Sequence, residues 1–272
     1  MYKNTKRREV CTMETLRQSS ISSLAATRDS SQIHTADADK ITYLAPRSST
    51  KVFQESCRFA HDYKDPLFPV VQVPYAILKR VFDIIFSILV LILSSPIMLL
   101  AAILVKLTSR GPVIFKQVRV GRGGRYFNCY KFRSMCVDAE QKKADLMHLN
   151  EASGPVFKIK KDPRVTPVGH ILRKLSIDEL PQLINVLKGE MSVVGPRPPV
   201  PSEVAQYNER SRRRLAVKPG LTCIWQVNGR SNVSFERWME FDLLYIDTMS
   251  FSNDLLITLQ TIPAVLKGSG AH

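Results

Sequence analysis

Ile84 to Val105 read IIFSILVLILSSPIMLLAAILV, 22 residues without a charge, interrupted near the middle by Ser94-Ser95-Pro96. A straight helix of that length reaches about 33 Å, enough for a hydrocarbon core of roughly 30 Å. The flanks give it no direction, because Lys79 and Arg80 precede it and Lys106 and Arg110 follow it. A proline in mid-helix removes one backbone bond and crowds the preceding turn, which favours a kink. The two serines beside it can satisfy the backbone groups so freed inside lipid. Two readings stand: a kinked single-pass helix, or a helix that enters the membrane, bends at Ser95-Pro96 and returns to the same side. The second accounts for both the symmetrical flanks and the break.

Outward from this stretch, the N-terminal side is poor in structure signals. Residues 1–74 mix Ser, Thr, Asp and Lys, and tracts such as Ser19–Ser23 read as linker, so a largely disordered polar tail is expected there. That tail carries 11 Lys/Arg and 8 Asp/Glu, so most of the chain's net charge of +15 lies in residues 75–272. A basic body beside an apolar segment suits anionic headgroups or phosphorylated substrates. Nucleic acid is not expected, since no recognition-helix, zinc-finger or RNP-type pattern accompanies the charge. Five scattered cysteines make neither a zinc spacing nor a disulfide framework, which points to a reducing compartment. The first residues lack the apolar core of a secretory signal.

On the C-terminal side, AILKRVFDIIF opens the helix, with Lys79, Arg80 and Asp83 placed where headgroups would solvate them. Gly111-Pro112 stops it. PVIFKQVRV and RYFNCYKFRSM, joined by GRGG (121–124), form a small β-hairpin. Lys131 and Arg133 are spaced to share one strand face. Residues 138–150 have helical composition, a basic loop KIKKDPRVTPVG follows, and residues 170–174 form a short helical turn. Further on, RSRRR (210–214) reads as a solvated or headgroup-facing surface and Trp225 as a core residue of a strand-like LTCIWQV. Phe235, Trp238, Met239, Leu243 and Ile246 recur at helical spacing, as a core stripe or an interfacial one. DLLITLQTIPAVLKG is too short to span and suits an interfacial helix. The fold class expected is α+β: a mostly helical monotopic membrane protein with a re-entrant helix-break-helix, one hairpin and interfacial amphipathic helices. Its parts are a tail (1–74), a membrane helix (75–110) and a domain at the cytoplasmic face (111–272).

The densest chemistry lies in LRKLSIDELPQLINVLKGEMSVVGPRPP (172–199). Asp178 and Glu179 are adjacent acids bracketed by Arg173, Lys174 and Arg197. A carboxylate pair among cations suits magnesium-assisted phosphate chemistry. One acid can attack phosphorus, the other can hold a hard cation, and arginines can clamp the transferring group. A second reading of the same residues is structural. Ser176-x-x-Glu179 matches a capping box, and acids in a first turn favour the helix dipole whatever the function. Spacing alone leaves both open.

These blocks together resemble the bacterial sugar transferases, monotopic phosphoglycosyl transferases that act on undecaprenyl phosphate. The resemblance runs in order through KRVFD (79–83), Ser95-Pro96, GPVIFKQVRVG (111–121), YKFRSM (130–135), DPRVTPVG (162–169), the DELPQ and GPRP blocks, and VKPGLTCIWQVNGR (217–230). It covers roughly residues 75–272. What it implies is a ping-pong reaction in which Asp178 attacks the sugar-linked phosphate of a UDP-sugar and expels UMP. A polyprenyl phosphate then takes the sugar phosphate, starting an exopolysaccharide or O-antigen type glycan. The resemblance further implies that Glu179 binds Mg²⁺ and that Lys131, Arg133, Arg173, Arg197 and Arg230 contact phosphate or nucleotide. It places the chain in a bacterial inner membrane, at the cytoplasmic face, and leaves room for a homo-oligomer. Thr222-Cys223 and Met249-Ser250 depart from the family pattern, which puts in doubt a turn near Arg230 and an interfacial anchor. The rival functions are a non-catalytic scaffold binding anionic lipid, and a glycosyltransferase that moves the sugar alone and releases UDP.

Overall fold

The computed structural model describes residues 73–228 and 233–267. The tail expected over residues 1–74 lies outside this range except for its last two residues, and so does Arg230. Val73–Thr108 form one 36-residue helix, α1. Pro96 deprives the Ile92 carbonyl of its amide partner, and Ser95 Oγ donates to that same oxygen at 2.8 Å. Ser94 Oγ adds a second donor to Val90 O at 2.6 Å. Helical geometry continues through Ser95-Pro96, where a break was expected: the Ser95 hydroxyl replaces the lost bond. Among the described residues α1 is the one helix long and apolar enough to cross a membrane. Most of its apolar surface is bare, Leu93 being 70 % exposed, as a protein core helix would not be.

Both ends of α1 are docked on the rest of the fold. At the first end Lys79 Nζ donates to Asp254 Oδ2 (2.8 Å) and Val194 O (3.0 Å), while Asp83 accepts from Ser192 Oγ and the Val193 amide. Arg80 donates to Val186 O and Leu187 O at 2.6 and 2.7 Å. These three charges were expected among headgroups. Instead they tie α1 to protein, because carbonyls and an acid lie within reach of the two cations, and a hydroxyl and an amide within reach of Asp83. At the other end Ala101 and Val105 pack with Phe132 and Leu172.

Strands β1 (Ile114–Val120) and β2 (Tyr126–Phe132) form the expected antiparallel hairpin, with Ile114 opposite Phe132 and Val120 opposite Tyr126. Its turn uses positive φ at Gly123 and Gly124. Residues 138–150 are a run of turns with one 3₁₀ turn, Met147–Leu149, rather than the helix their composition suggested. Helix α2 (Pro167–Lys174) begins with Pro167 and a Thr166 cap, whose Oγ1 accepts the Gly169 amide at 3.0 Å. Helix α3 (Gln182–Lys188) leads to β3 (Ser192–Val194).

Beyond two short helices, α4 (Pro201–Val204) and α5 (Glu209–Arg212), comes β4 (Gly220–Thr222). It pairs in parallel with β3, a ladder that sequence reading missed. Gly220 is required there, since a Cβ on it would sit 2.1 Å from the Gly195 nitrogen. LTCIWQV is thus strand only to Thr222 and then turns into α6 (Ile224–Val227). Helix α7 (Phe235–Asp247) buries the expected stripe of Trp238, Met239, Leu243 and Ile246. Helix α8 (Phe251–Lys267) buries Asp254 and Ile257 but exposes Leu255, Leu256, Leu259 and Ile262. The main core lies between α3, β3, α7 and α8, with Phe82 and Phe86 of α1 packed against it.

Candidate active site

After α2 the chain reverses at Ser176, which adopts the left-handed conformation (φ 56°), and then makes a single 3₁₀ turn, Ile177–Glu179. An L-residue held there costs roughly 1–2 kcal/mol, so its surroundings impose the conformation. The Ser176 side chain caps nothing. The capping-box reading fails for that reason, since the acids stand ahead of α3 in a separate turn. Two supports fix that turn. Leu183 and Val186 are buried on the inner side of α3. Asn185, also fully buried, accepts the Tyr130 amide through Oδ1 and donates through Nδ2 to Asn128 O and Glu190 Oε2. This side chain sews α3 to β2 and sets the height of Lys131, whose Nζ reaches Glu179 Oε1 at 2.5 Å.

Asp178 and Glu179 open into a cavity of about 950 Å³. Lys131, Arg173 and Arg197 line the same cavity. Phe86 and Val90 of α1 and Ile262 and Val265 of α8 line it too, so the cavity carries apolar wall from the long apolar helix. Burial pushes the Asp178 carboxyl up to about 6; Lys131 and Arg173 pull it down while Glu179 pushes it further up. For Glu179 burial acts in the same upward direction, but Lys131, Arg197 and Arg119 outweigh it and hold its carboxyl below the ordinary value. Two adjacent acids are thus driven apart, the pattern that separates roles in a carboxylate pair.

Arg133 is not part of this group. Strand β2 ends at Phe132, and the Arg133 guanidinium turns to Pro112 O and to Ser109 O and Oγ, holding the far end of α1. The RSRRR run is also divided. Arg213 pairs with Asp247 at the surface, whereas Arg214 is 2 % exposed and paired with Asp242 at 2.6 Å. A wholly solvated face is therefore ruled out for it. Trp225 packs on Trp238 at 4.5 Å between ring centroids and lines the cavity as well.

With respect to a metal, no cluster of three or more His, Cys, Asp or Glu occurs among the described residues. Magnesium, which is often held by one or two carboxylates plus substrate phosphates, still fits Asp178 and Glu179, because Lys131 occupies only one Glu179 oxygen. Glu179 would hold such an ion through its other oxygen, and the ion would neutralise phosphate charge.

A family model for bacterial sugar transferases matches residues 74–268. The chain belongs to that family. Its similarity to curated members is high. It is 52 % identical over 162 residues to the galactosyl transferase CpsE of Streptococcus agalactiae, covering 59 % of this chain and 36 % of that one. It is 44 % identical over 204 residues to the undecaprenyl-phosphate galactose phosphotransferase of Salmonella typhimurium (72 % and 42 %). To the exopolysaccharide production protein ExoY of Rhizobium meliloti it is 42 % identical over 198 residues (71 % and 88 %). The chain thus spans less than half of the first two relatives and most of the third.

Two further cations reach the cavity. Lys158 and Lys160 come from the basic loop KIKKDPR and line its wall. Burial, reinforced by Arg197, pushes the Lys158 ammonium down to about 8. Their alternate spacing in an otherwise uncommitted loop was the one available signal. Asn185 carried none, because its role depends on two backbone partners in β2 that are distant in sequence.

Proposed function

We propose that this sugar transferase moves a sugar 1-phosphate from a UDP-sugar to a polyprenyl phosphate and releases UMP. The observation that carries the reading is the paired carboxylates at the cation-lined part of a cavity that also has apolar wall from α1 and α8. A diphosphate donor needs the first part and a lipid phosphate needs both.

In the first half-reaction a carboxylate oxygen of Asp178 attacks the sugar-bearing phosphorus of the donor. The bond from that phosphorus to the bridging oxygen breaks, and UMP leaves with that oxygen and its electron pair. Arg173, Arg197 and Lys158 lie where they can spread the phosphate charge. In the second half-reaction a phosphate oxygen of the lipid attacks the aspartyl-linked phosphorus. The Asp178 carboxylate is regenerated and a polyprenyl diphosphate sugar departs. Glu179, kept ionised by Lys131, would hold a magnesium ion, which would supply charge neutralisation. Galactose is the first sugar to test, because two of the relatives are named for it. The product starts an exopolysaccharide-type glycan at the cytoplasmic face of the bacterial inner membrane, with α1 dipping into the bilayer and returning.

Product identity is the test. Protein in detergent with Mg²⁺, undecaprenyl phosphate and a panel of UDP-sugars should release UMP. Asp178→Asn should lower turnover by about 10³-fold or more while membrane association is kept. UDP as product, or near-normal turnover of Asp178→Asn, overturns the reading.

A further inference from the structure

The segment Pro196-Arg197-Pro198-Pro199 follows β3 and contains three prolines, so among its four residues only Arg197 carries an amide hydrogen. Such a segment cannot be held by an ordinary ladder and must be held through its carbonyls. All four carbonyls are engaged. Gly220 N donates to Pro196 O and Val120 N to Pro199 O, each at 2.9 Å. The middle two are taken by buried arginines: Arg214 Nη2 donates to Arg197 O and Arg119 Nη1 to Pro198 O, each at 2.8 Å.

Arg214 is fixed in turn. Its Nη1 donates to Tyr207 Oη at 2.6 Å, and it is ion-paired with Asp242. Asp242 lies one turn along α7 from Trp238, and both guanidinium groups lie over that indole: Arg197 at 5.3 Å and Arg214 at 5.6 Å from the ring centroid. Arg197 itself makes no side-chain hydrogen bond or ion pair within the described residues, and it lines the cavity. Its guanidinium thus lines the cavity with no other described side chain or carbonyl claiming its donors.

We propose that Arg214, held by Asp242 and Tyr207, is a positioning residue: it fixes the Arg197 backbone so that the Arg197 guanidinium meets the donor's phosphates against Trp238. This rests on the function proposed above. A buried charge that donates to the carbonyl of a cavity-lining arginine can act through that arginine or through the shared Trp238, and a double-mutant cycle separates the two.

The full-length protein in nanodiscs is compared as wild type, Arg214→Lys, Arg197→Ala and the double variant, with thermal unfolding as the check on folding. The readouts are kcat and KM for the UDP-sugar, and equilibrium binding of UMP. Arg214→Lys keeps the charge beside Asp242 but lacks the forked second donor. It should lower kcat/KM about 10- to 100-fold, as misplacement of a positioning group does. In the Arg197→Ala background the same change should cost less than about twofold. Tyr207→Phe is the milder probe should Arg214→Lys fail to fold, with about a threefold loss expected in wild type and none beside Arg197→Ala. Equal losses in both backgrounds, or no loss in wild type, overturn the inference. A wild type that releases UDP overturns the proposed function instead, while the coupling is still read from UMP binding and turnover.

Discussion

Asp178 occupies a place that a carboxylate does not favour. With its folded value near 6 and an unfolded value near 3.8, the native state holds the proton more tightly than the unfolded chain does. Its contribution to stability is therefore lost as pH rises from about 4 to 6, and a constant penalty remains above that. Asp178→Asn should therefore stabilise the metal-free protein at pH 7.5. Thermal unfolding of both proteins in EDTA across pH 4 to 8 tests this. The gap should open between pH 4 and 6 and stay flat above; a gap that shrinks over that interval contradicts the burial argument. The group proposed to attack phosphorus is in this sense paid for by the fold around it. Lys158 is the matching case among the cations. Its replacement by Met should raise KM for the donor about tenfold, the loss of one charge-assisted hydrogen bond, with a smaller effect on kcat. Steady-state kinetics would show it, and an unchanged KM would remove Lys158 from the donor site.

At the scale of elements, α1 is a strut as well as the proposed anchor. Arg80 takes the last carbonyls of α3, the helix that begins just after Asp178-Glu179, so α1 holds the far end of the element that supports the acid pair. Arg80→Met should destabilise the protein by roughly 2 kcal/mol, since two charge-assisted bonds go and two carbonyls lose their partner. Turnover should fall with it. Resistance to carbonate extraction should be unchanged, because the apolar surface from Ile84 to Val105 is untouched. Release from the membrane by this substitution would mean that docking on the fold, not the apolar stretch, is what retains the protein. Helix α8 divides its faces similarly: Asp254 and Ile257 turn inward, while Leu256 and Leu259 face out. That outward face suits the interfacial position its length suggested.

For the molecule as a whole, the decisive relation is that both ends of α1 pack on one fold, through Lys79, Arg80 and Asp83 at one end and Ala101 and Val105 at the other. A helix that crossed the bilayer would part them. We therefore expect single cysteines at Ile77 and Leu107, both well exposed, to be labelled from the same side by a membrane-impermeant maleimide in a background lacking native cysteines. Inverted vesicles and spheroplasts supply the two sides. Labelling of the two positions from opposite faces would replace the dip with a single pass. A same-side result also fits a cavity that both proposed substrates, a soluble nucleotide sugar and a lipid phosphate, can reach.

The features legible in the sequence are those decided by neighbours along the chain. The apolar stretch of α1 follows from composition, the β1–β2 hairpin from alternation and a glycine turn, and the adjacency of Asp178 and Glu179 from the chain itself. Tertiary structure decided which cations serve them. Lys131 and Arg133 look equivalent by spacing, yet β2 ends between them, so alternation no longer governs Arg133 and it turns to the α1 terminus. Arg214 sits in a charge run that reads as solvated, and only Asp242 and Tyr207, brought from elsewhere, make its burial tolerable. The parallel β3–β4 pair was invisible because its partners are more than 20 residues apart and only three residues long. Sequence pattern reports which side an element turns to its own neighbours, whereas a charge's destination depends on partners that folding alone brings within hydrogen-bonding distance.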